Sequence, residues 1–499
     1  MGPFSLVRRD GPRYDPPSRG EEKGLIMHRS VTALTLLAAA AANAAGPLPR
    51  AENGRMVLVH GCWGDEHGAL EGGQFLVPSS LQRGVPEGLD AFGGRGLPGD
   101  NRIDLVIVGD GYTASELAQF HLDADRIGQD FFRYEPFIRY EPYFRVTKVE
   151  VVSNESGVDN DPSPGISRDT ALDMAYWCSN IERLLCVSVA KARSFAFAGA
   201  DDVDQILAIA NSSKYGGAGY GSQDVGTAAG QNSAAVEIAI HEMGHSLGNL
   251  ADEYTYGGPV DYSGSEPSAA NLSILNASQM ASADAKWHLW LGDSVPGFDN
   301  PVGTYEGGGY SVNGIYRPSN NSMMRALARP FNLPSAERLI REFYQEVSPI
   351  DAAPVNGTLF GIGEIVGITP VRPNGAPLRV EWIVDGVVAA SGTESVTAGE
   401  LDLPSGISTV EVRVTDDTPW VRDESIRAQF MTESRAYSMT GCNAYADLNG
   451  DRTLDLADIS VFVDAFVSGG SPADLAAPQG VLDLADINAF VTAFGQGCR

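Results

Sequence analysis

The feature that most narrows the fold is the stretch AVEIAIHEMGHSLGNLADEY, residues 235–254. Residues four apart on an α-helix share a face, so His241 and His245 can aim both imidazoles at one cation. Glu242 lies about a hundred degrees round from His241, near that cation without being forced to bind it. HExxH therefore supplies two ligands and a base within one helical turn, and the pattern points to Zn2+. The chain has only seven histidines, so two of them in this spacing around a glutamate rarely arise by chance. An amphipathic helix with two partly buried histidines is the bland alternative.

A catalytic zinc takes three protein ligands and keeps one position for a water, whose pKa falls from about 15.7 to roughly 7. Glu242 is the expected general base for that water. Gly248 and Asn249 both tolerate left-handed backbone and form the expected helix stop. Ala251 stands where a third histidine would be sought, and it cannot bind a metal. Asp252 is the preferred third ligand and Glu253 its rival; orienting a histidine is the other reading of Asp252. Downstream, YEGGGYSVNGIYRPSNNSMMR (residues 305–325) offers Met324 or Met323 as an apolar floor under the metal, against plain core packing. Tyr310 and Tyr316 flank that turn, each with a phenol for an oxyanion or for packing.

Around this segment the pattern is that of an α/β domain. Ile103 to Val108 is an unbroken apolar run fit for a buried strand and ends at Gly109-Asp110-Gly111. Thr113 or Ser115 is the expected cap of a helix through Leu117, Phe120, Ala124 and Ile127. Strands are expected at 144–152 and 203–210, and a helix at 335–345. LRVEWIVDGVVAA and GISTVEVRVTDDT then alternate with period two across an Asp-Gly turn, which predicts antiparallel strands packed as an Ig-like sandwich. Their inclusion in the first sheet is the alternative.

The blocks VIVGDGYTASE (106–116), HEMGHSLGNLADEY (241–254), and YEGGGY followed by GIYRPSNNSMMR, in this order and spacing, resemble the IgA-specific metalloendopeptidase family. The resemblance spans about residues 102–351 and implies a secreted, metzincin-like zinc peptidase; its Leu-Ala-Asp-Glu-Tyr run supports Asp252 as the acidic third ligand. Relatives often carry cysteine where Ser322 stands, so a thiol or disulfide there is absent. The family does not fix the substrate, and immunoglobulin cleavage belongs to particular members.

Residues 442–498 hold a repeat, LDLADISVFVDAF at 454–466 and LDLADINAFVTAF at 482–494. Before the first copy, Asp447, Asn449, Asp451, Thr453 (by its carbonyl), Asp455 and Asp458 space oxygen donors as a Ca2+ loop does. Arg452 replaces the usual glycine and Asp458 the usual glutamate. The arrangement resembles a dockerin repeat, which implies a cohesin-like or cell-surface partner. The second copy keeps only Asp474, Asp483 and Asp486 as side-chain donors, so weak or no calcium binding is expected there. An acidic repeat without an ion is the alternative.

The expected architecture is therefore multidomain. An α/β metzincin-like zinc peptidase domain at 102–351 precedes an Ig-like β-sandwich at 352–436 and a small α-helical dockerin-like domain at 442–498. Residues 27–44 read as a signal peptide after an upstream extension at 1–26, and 45–101 receive no role. Loss of 1–44 moves the net charge from −29 to −31, which excludes nucleic acid as a partner. No run of the mature chain is long enough to span a membrane, so the protein is expected outside the cell or at its surface. Five cysteines suit that compartment. Cys178 with Cys186 and Cys442 with Cys498 are the positional pairs, and Cys62 is left over. The leading expectation is an endopeptidase acting on protein or peptide substrates. Its rivals are a non-catalytic adhesion protein with a structural zinc, and a zinc amidase acting on cell-wall material.

Overall fold

The structure, a computed structural model, describes residues 56–64, 70–78, 101–221, 223–255, 260–361, 364–404, 406–441, 446–451 and 453–495. The expected signal peptide, the extension before it, and Cys442 and Cys498 lie outside the described residues.

The principal sheet has seven strands: β1 (Met56–Gly64), β2 (Leu70–Pro78), β3 (Ile103–Asp110), β4 (Phe144–Val149), β5 (Gln205–Ala210), β6 (Gly217–Tyr220) and β7 (Val225–Ala229). Their spatial order is β2-β1-β6-β7-β5-β3-β4. β4, β3, β5 and β7 run parallel, whereas β6 is antiparallel to β7. β1 joins β6 through the pair His60 and Gly219, so part of the N-terminal segment left without a role extends this sheet. β4 and β5 are shorter than expected because each coincides with its ladder to β3.

All eight residues of β3 are buried, as an interior parallel strand requires. Leu105 and Ile107 enter the core on one face, and Val106 and Val108 the core on the other. Helix α1 (Leu117–Asp130) makes the crossover from β3 to β4. The expected hydroxyl cap takes another form: the Glu116 carboxylate reaches back to accept from the Thr113 amide (3.0 Å) and hydroxyl (2.7 Å). Helix α2 (Val189–Gly199) covers the second face through Val189, Ala192 and Ala196. Cys178 and Cys186 form a disulfide near it.

Helix α3 (Ala235–Ser246) crosses β6 and β7, and all but one of its residues are buried. Helix α4 (Leu333–Glu346) begins at Asn332, whose side chain accepts from the Ser335 amide at 3.0 Å. It drives Leu339, Ile340 and Phe343 into the core that α3 shares.

Downstream, β8 (Tyr305–Gly308) and β9 (Ser311–Arg317) form a separate hairpin. A five-stranded sheet follows, with β10 (Leu359–Phe360), β11 (Arg379–Val384), β12 (Val387–Ser391), β13 (Gly406–Thr415) and β14 (Thr432–Gly441) in the order β10-β14-β13-β11-β12. Asp385 and Gly386, both at positive φ, turn β11 into β12. The sheet has a core of its own around Trp382, Val412 and Tyr437. The loops at its end reach elsewhere: Val371, Trp420, Val421 and Met431 belong to the same core as α3 and α4. A buried polar knot ties the two regions. Asp416 accepts from the Tyr140 hydroxyl (2.6 Å) and the Tyr344 hydroxyl (2.8 Å), and Tyr143 bonds both Tyr344 and the Val371 carbonyl.

The C-terminal repeat folds as α5 (Leu456–Ser468) and α6 (Leu484–Gly495), joined where Phe462 stacks on Phe490 at a centroid distance of 4.2 Å. Among the described residues, no helix is long and apolar enough to cross a membrane.

Candidate metal centre

The centre is built where α3 ends. The chain leaves the helix with the Asn249 amide bonded to the His245 carbonyl and the Leu250 amide to the Gly244 carbonyl. Asn249, at φ +47°, supplies the left-handed turn. Gly248 contributes space instead, because a β-carbon there would meet the Gly244 carbonyl oxygen at 2.8 Å and Leu339 at 3.0 Å.

This exit aims the segment 250–254 back at the histidines. His241 Nδ1 donates to the Met323 carbonyl at 2.9 Å, and His245 Nδ1 donates to the Leu250 carbonyl at 2.7 Å. A carbonyl can only accept, so each ring carries a proton on Nδ1 and turns Nε2 the other way, toward Asp252. The two Nε2 atoms lie 3.1 Å apart, and Asp252 Oδ1 is 3.1 Å from one and 3.2 Å from the other. These three candidate ligand atoms are buried and stand at nearly equal separations. Tetrahedral ligands at about 2.0–2.1 Å from zinc stand roughly 3.3–3.4 Å apart, so the donor set and its size fit that ion. Both Nδ1–H groups are anchored on backbone carbonyls, as metal-binding histidines require.

Glu253 points the other way, as the next residue of an extended segment must. Its buried carboxylate accepts from Ser322 Oγ (2.6 Å), Asn271 Nδ2 (3.0 Å) and Asn332 Nδ2 (2.9 Å). Burial pushes this carboxyl up, and the three hydrogen bonds oppose that shift. The rival ligand is thus placed away from the histidines, and Ser322 is one of its partners.

Glu242 is buried on the sheet side of α3. Its side chain lies over the glycines of β6 and β7: β-carbons at Gly219 and Gly217 would fall 2.7 Å and 3.3 Å from its carboxylate oxygens. Met323 and Met324 are both wholly buried. Met323 holds His241 through its carbonyl, whereas Met324 packs against α3: its sulfur would lie 2.6 Å from a β-carbon at Gly244. Tyr310 reaches the centre and donates its hydroxyl to Asp252 Oδ2. Tyr316 is placed in β9, with its amide on the Ser273 carbonyl.

Sequence reasoning did not single out Asn271, Asn332 or the glycines of β6 and β7. The glycine-rich run YGGAGYGSQDVGTAAG (215–230) was the one available signal, since such spacing in strands marks close approach by something else.

In the C-terminal repeat, carboxylate oxygens of Asp447, Asp451 and Asp458 come within 4.8 Å of one another. Asp458 accepts from the amides of Leu448 and Asp455, at 2.9 Å and 3.0 Å. Asn449 exchanges bonds with Asp451, whose Oδ1 also accepts from the Thr453 amide. Asp455 caps α5. In the second copy Asp486 takes the amides of Leu475, Ala476 and Asp483, Asp474 takes that of Gly480, and Asp483 takes that of Ala485. These amide bonds hold the Asp486 carboxyl below its usual range, the bond from the Asp483 backbone most of all.

Residues 95–301, 207 of the 499, match the family described as IgA Peptidase M64, so this segment is similar to a peptidase family. The match takes in α3 and Asp252. No curated protein matches the chain.

Proposed function

We propose that this chain is an exported, zinc-dependent endopeptidase that hydrolyses peptide bonds in protein substrates. The observation that carries the reading is the triangle of His241 Nε2, His245 Nε2 and Asp252 Oδ1 within a matched peptidase segment, with Glu242 on the same helix. Bound there, zinc supplies a Lewis acid that polarises a carbonyl and lowers the pKa of water to roughly 7. His241, His245 and Asp252 would hold the ion, and Glu242 takes the proton of the attacking water and returns it to the departing amine. A structural zinc uses four protein ligands. Among the described residues three converge, which supports catalysis over adhesion.

Export is supported by the signal-peptide pattern at 27–44, with its apolar run at 31–42, and by the Cys178–Cys186 disulfide. We read the five-stranded sheet as an Ig-like module and α5–α6 as a dockerin-like one whose first loop takes Ca2+. The test is direct. The purified chain should bind one equivalent of zinc and cleave members of a proteome-derived peptide library, and both chelation and Glu242→Gln should abolish cleavage. An inactive wild type with one tightly held zinc would return the structural reading, and cleavage confined to non-peptide amides the amidase reading.

A further inference from the structure

We propose that Tyr310 is a positioning residue that restricts Asp252 to a single metal-facing oxygen. The inference deepens the metallopeptidase reading and rests on it. Asp252 divides its two oxygens: Oδ1 faces both histidine Nε2 atoms, and Oδ2 receives the Tyr310 hydroxyl. A carboxylate left to itself can turn both oxygens toward a cation; one committed to a phenol offers one. That keeps a coordination position for water, which a catalytic site needs and a structural site lacks.

The chain goes to some trouble to put the phenol there. Tyr310 has φ +68°, a left-handed conformation that a bulky residue rarely adopts and that its surroundings must hold. Gly307, Gly308 and Gly309 before it also have positive φ, and β-carbons at Gly307 and Gly308 would strike Thr255 and Leu272 within 2.7 Å. Two backbone bonds then clamp the turn onto the ligand's own segment. The Gly309 amide bonds the Asp252 carbonyl at 2.9 Å, and the Tyr310 amide bonds the Tyr254 carbonyl at 3.0 Å. Arg317 donates to the carbonyls of Glu306 and Gly307, both at 2.7 Å, and Tyr254 meets the Tyr310 ring edge-on at 5.3 Å. A phenol serving the core alone needs no such aim. Tyr310 therefore acts through Asp252, and the oxyanion role is not needed to explain its placement.

Tyr310→Phe removes the hydroxyl and keeps the ring. In the full chain, stripped of metal and titrated with Zn2+ against a chromophoric chelator, the variant should bind zinc ten- to a hundredfold more weakly than wild type. Its metal-free thermal midpoint should match wild type, and the visible bands of the Co2+-loaded form should weaken as the freed oxygen raises the coordination number. Unchanged affinity with an unchanged Co2+ spectrum would overturn the proposal. A metal-free midpoint that falls in step with affinity would also overturn it, by assigning Tyr310 to packing. Failure of wild type itself to take up zinc would instead overturn the metal-site reading, and this inference with it.

Discussion

The Glu242 carboxylate occupies the space that any side chain at Gly219 would need: a β-carbon there falls 2.7 Å from Oε2. The strand beside the helix is cut back to glycine where the proposed base lies. Gly219→Ala should displace the carboxylate tip first, since the next atoms it meets, the His245 β-carbon at 3.2 Å and the Glu242 carbonyl oxygen at 3.4 Å, need give only a few tenths of an ångström. Misplacement by about 1 Å costs on the order of a hundredfold in rate. The expected result is a loss of kcat of that size with zinc stoichiometry and thermal midpoint retained. Wild-type turnover in the alanine variant would show that Glu242 is not the base.

Glu253 should govern stability. Glu253→Ala leaves the donors of Ser322, Asn271 and Asn332 buried without their acceptor. At about 1–3 kcal/mol for each such group, a loss of roughly 3 kcal/mol or more is expected in urea unfolding. Because burial already pushes this carboxyl up, the neutral Glu253→Gln should lose markedly less. Equal losses would mean that the charge, not the acceptor geometry, matters.

Much of this centre is legible in the sequence because helical periodicity is local. His241 and His245 four apart, with Asn249 and Gly248 behind them, nearly dictate a helix that stops just past its ligands. The alternation of an extended segment also says that Asp252 and Glu253 cannot both face one ion, but not which of them does. That is settled by partners 18 to 79 residues away, Asn271, Ser322 and Asn332, none of which shows in a local pattern. The same holds for Tyr310, whose left-handed backbone follows from the clamp onto residues 252–254 and not from its own preference. It holds too for Asp416, which meets Tyr140 across 276 positions.

That last contact ties the five-stranded sheet to the core that α3 and α4 share. Asp416→Ala should remove the acceptor for Tyr140, Tyr344 and the Thr418 amide, and destabilise the protein by about 3 kcal/mol. Burial first, and the Asp416 charge second, hold the Tyr140 hydroxyl protonated well above its ordinary range, so it remains a donor at any working pH. Urea unfolding followed by tryptophan fluorescence should show both regions melting together in wild type. Two separate transitions would mean that the knot does not couple them.

Stability should fall as pH rises from about 4 to 7. Burial pushes Asp204 up to about 7 and Asp224 up to about 6, against about 3.9 for an unfolded aspartate. Across that window the native state holds protons that the unfolded chain has released, so the slope of unfolding free energy with pH is negative. The contribution is fully present below pH 4 and lost as pH passes the native values. Asp204→Asn keeps an acceptor for the Asp104 amide and removes the titration. Its stability relative to wild type should therefore grow as pH rises through 7; a constant difference would show that Asp204 titrates normally.

The first C-terminal loop should bind Ca2+ through Asp447 and Asp451, and the choice of residues decides whether a test means anything. Asp458 already accepts from the amides of Leu448 and Asp455 and completes the capping box of α5, so its loss would unwind the loop with or without an ion. Asp451 is exposed and Asp447 half-buried, and both offer carboxylates beside Asp458. A ligand that binds only the folded state stabilises it by about 2.7 kcal/mol at a hundred times its Kd. Ca2+ should accordingly raise the melting point of the α5–α6 region in the full chain. The double variant Asp447→Asn with Asp451→Asn should keep its metal-free melting point and lose that response, because Asn preserves the local amide bonds while discarding two charges. If wild type melts at the same temperature in Ca2+ and in chelator, the acids only cap helices and line a solvated surface.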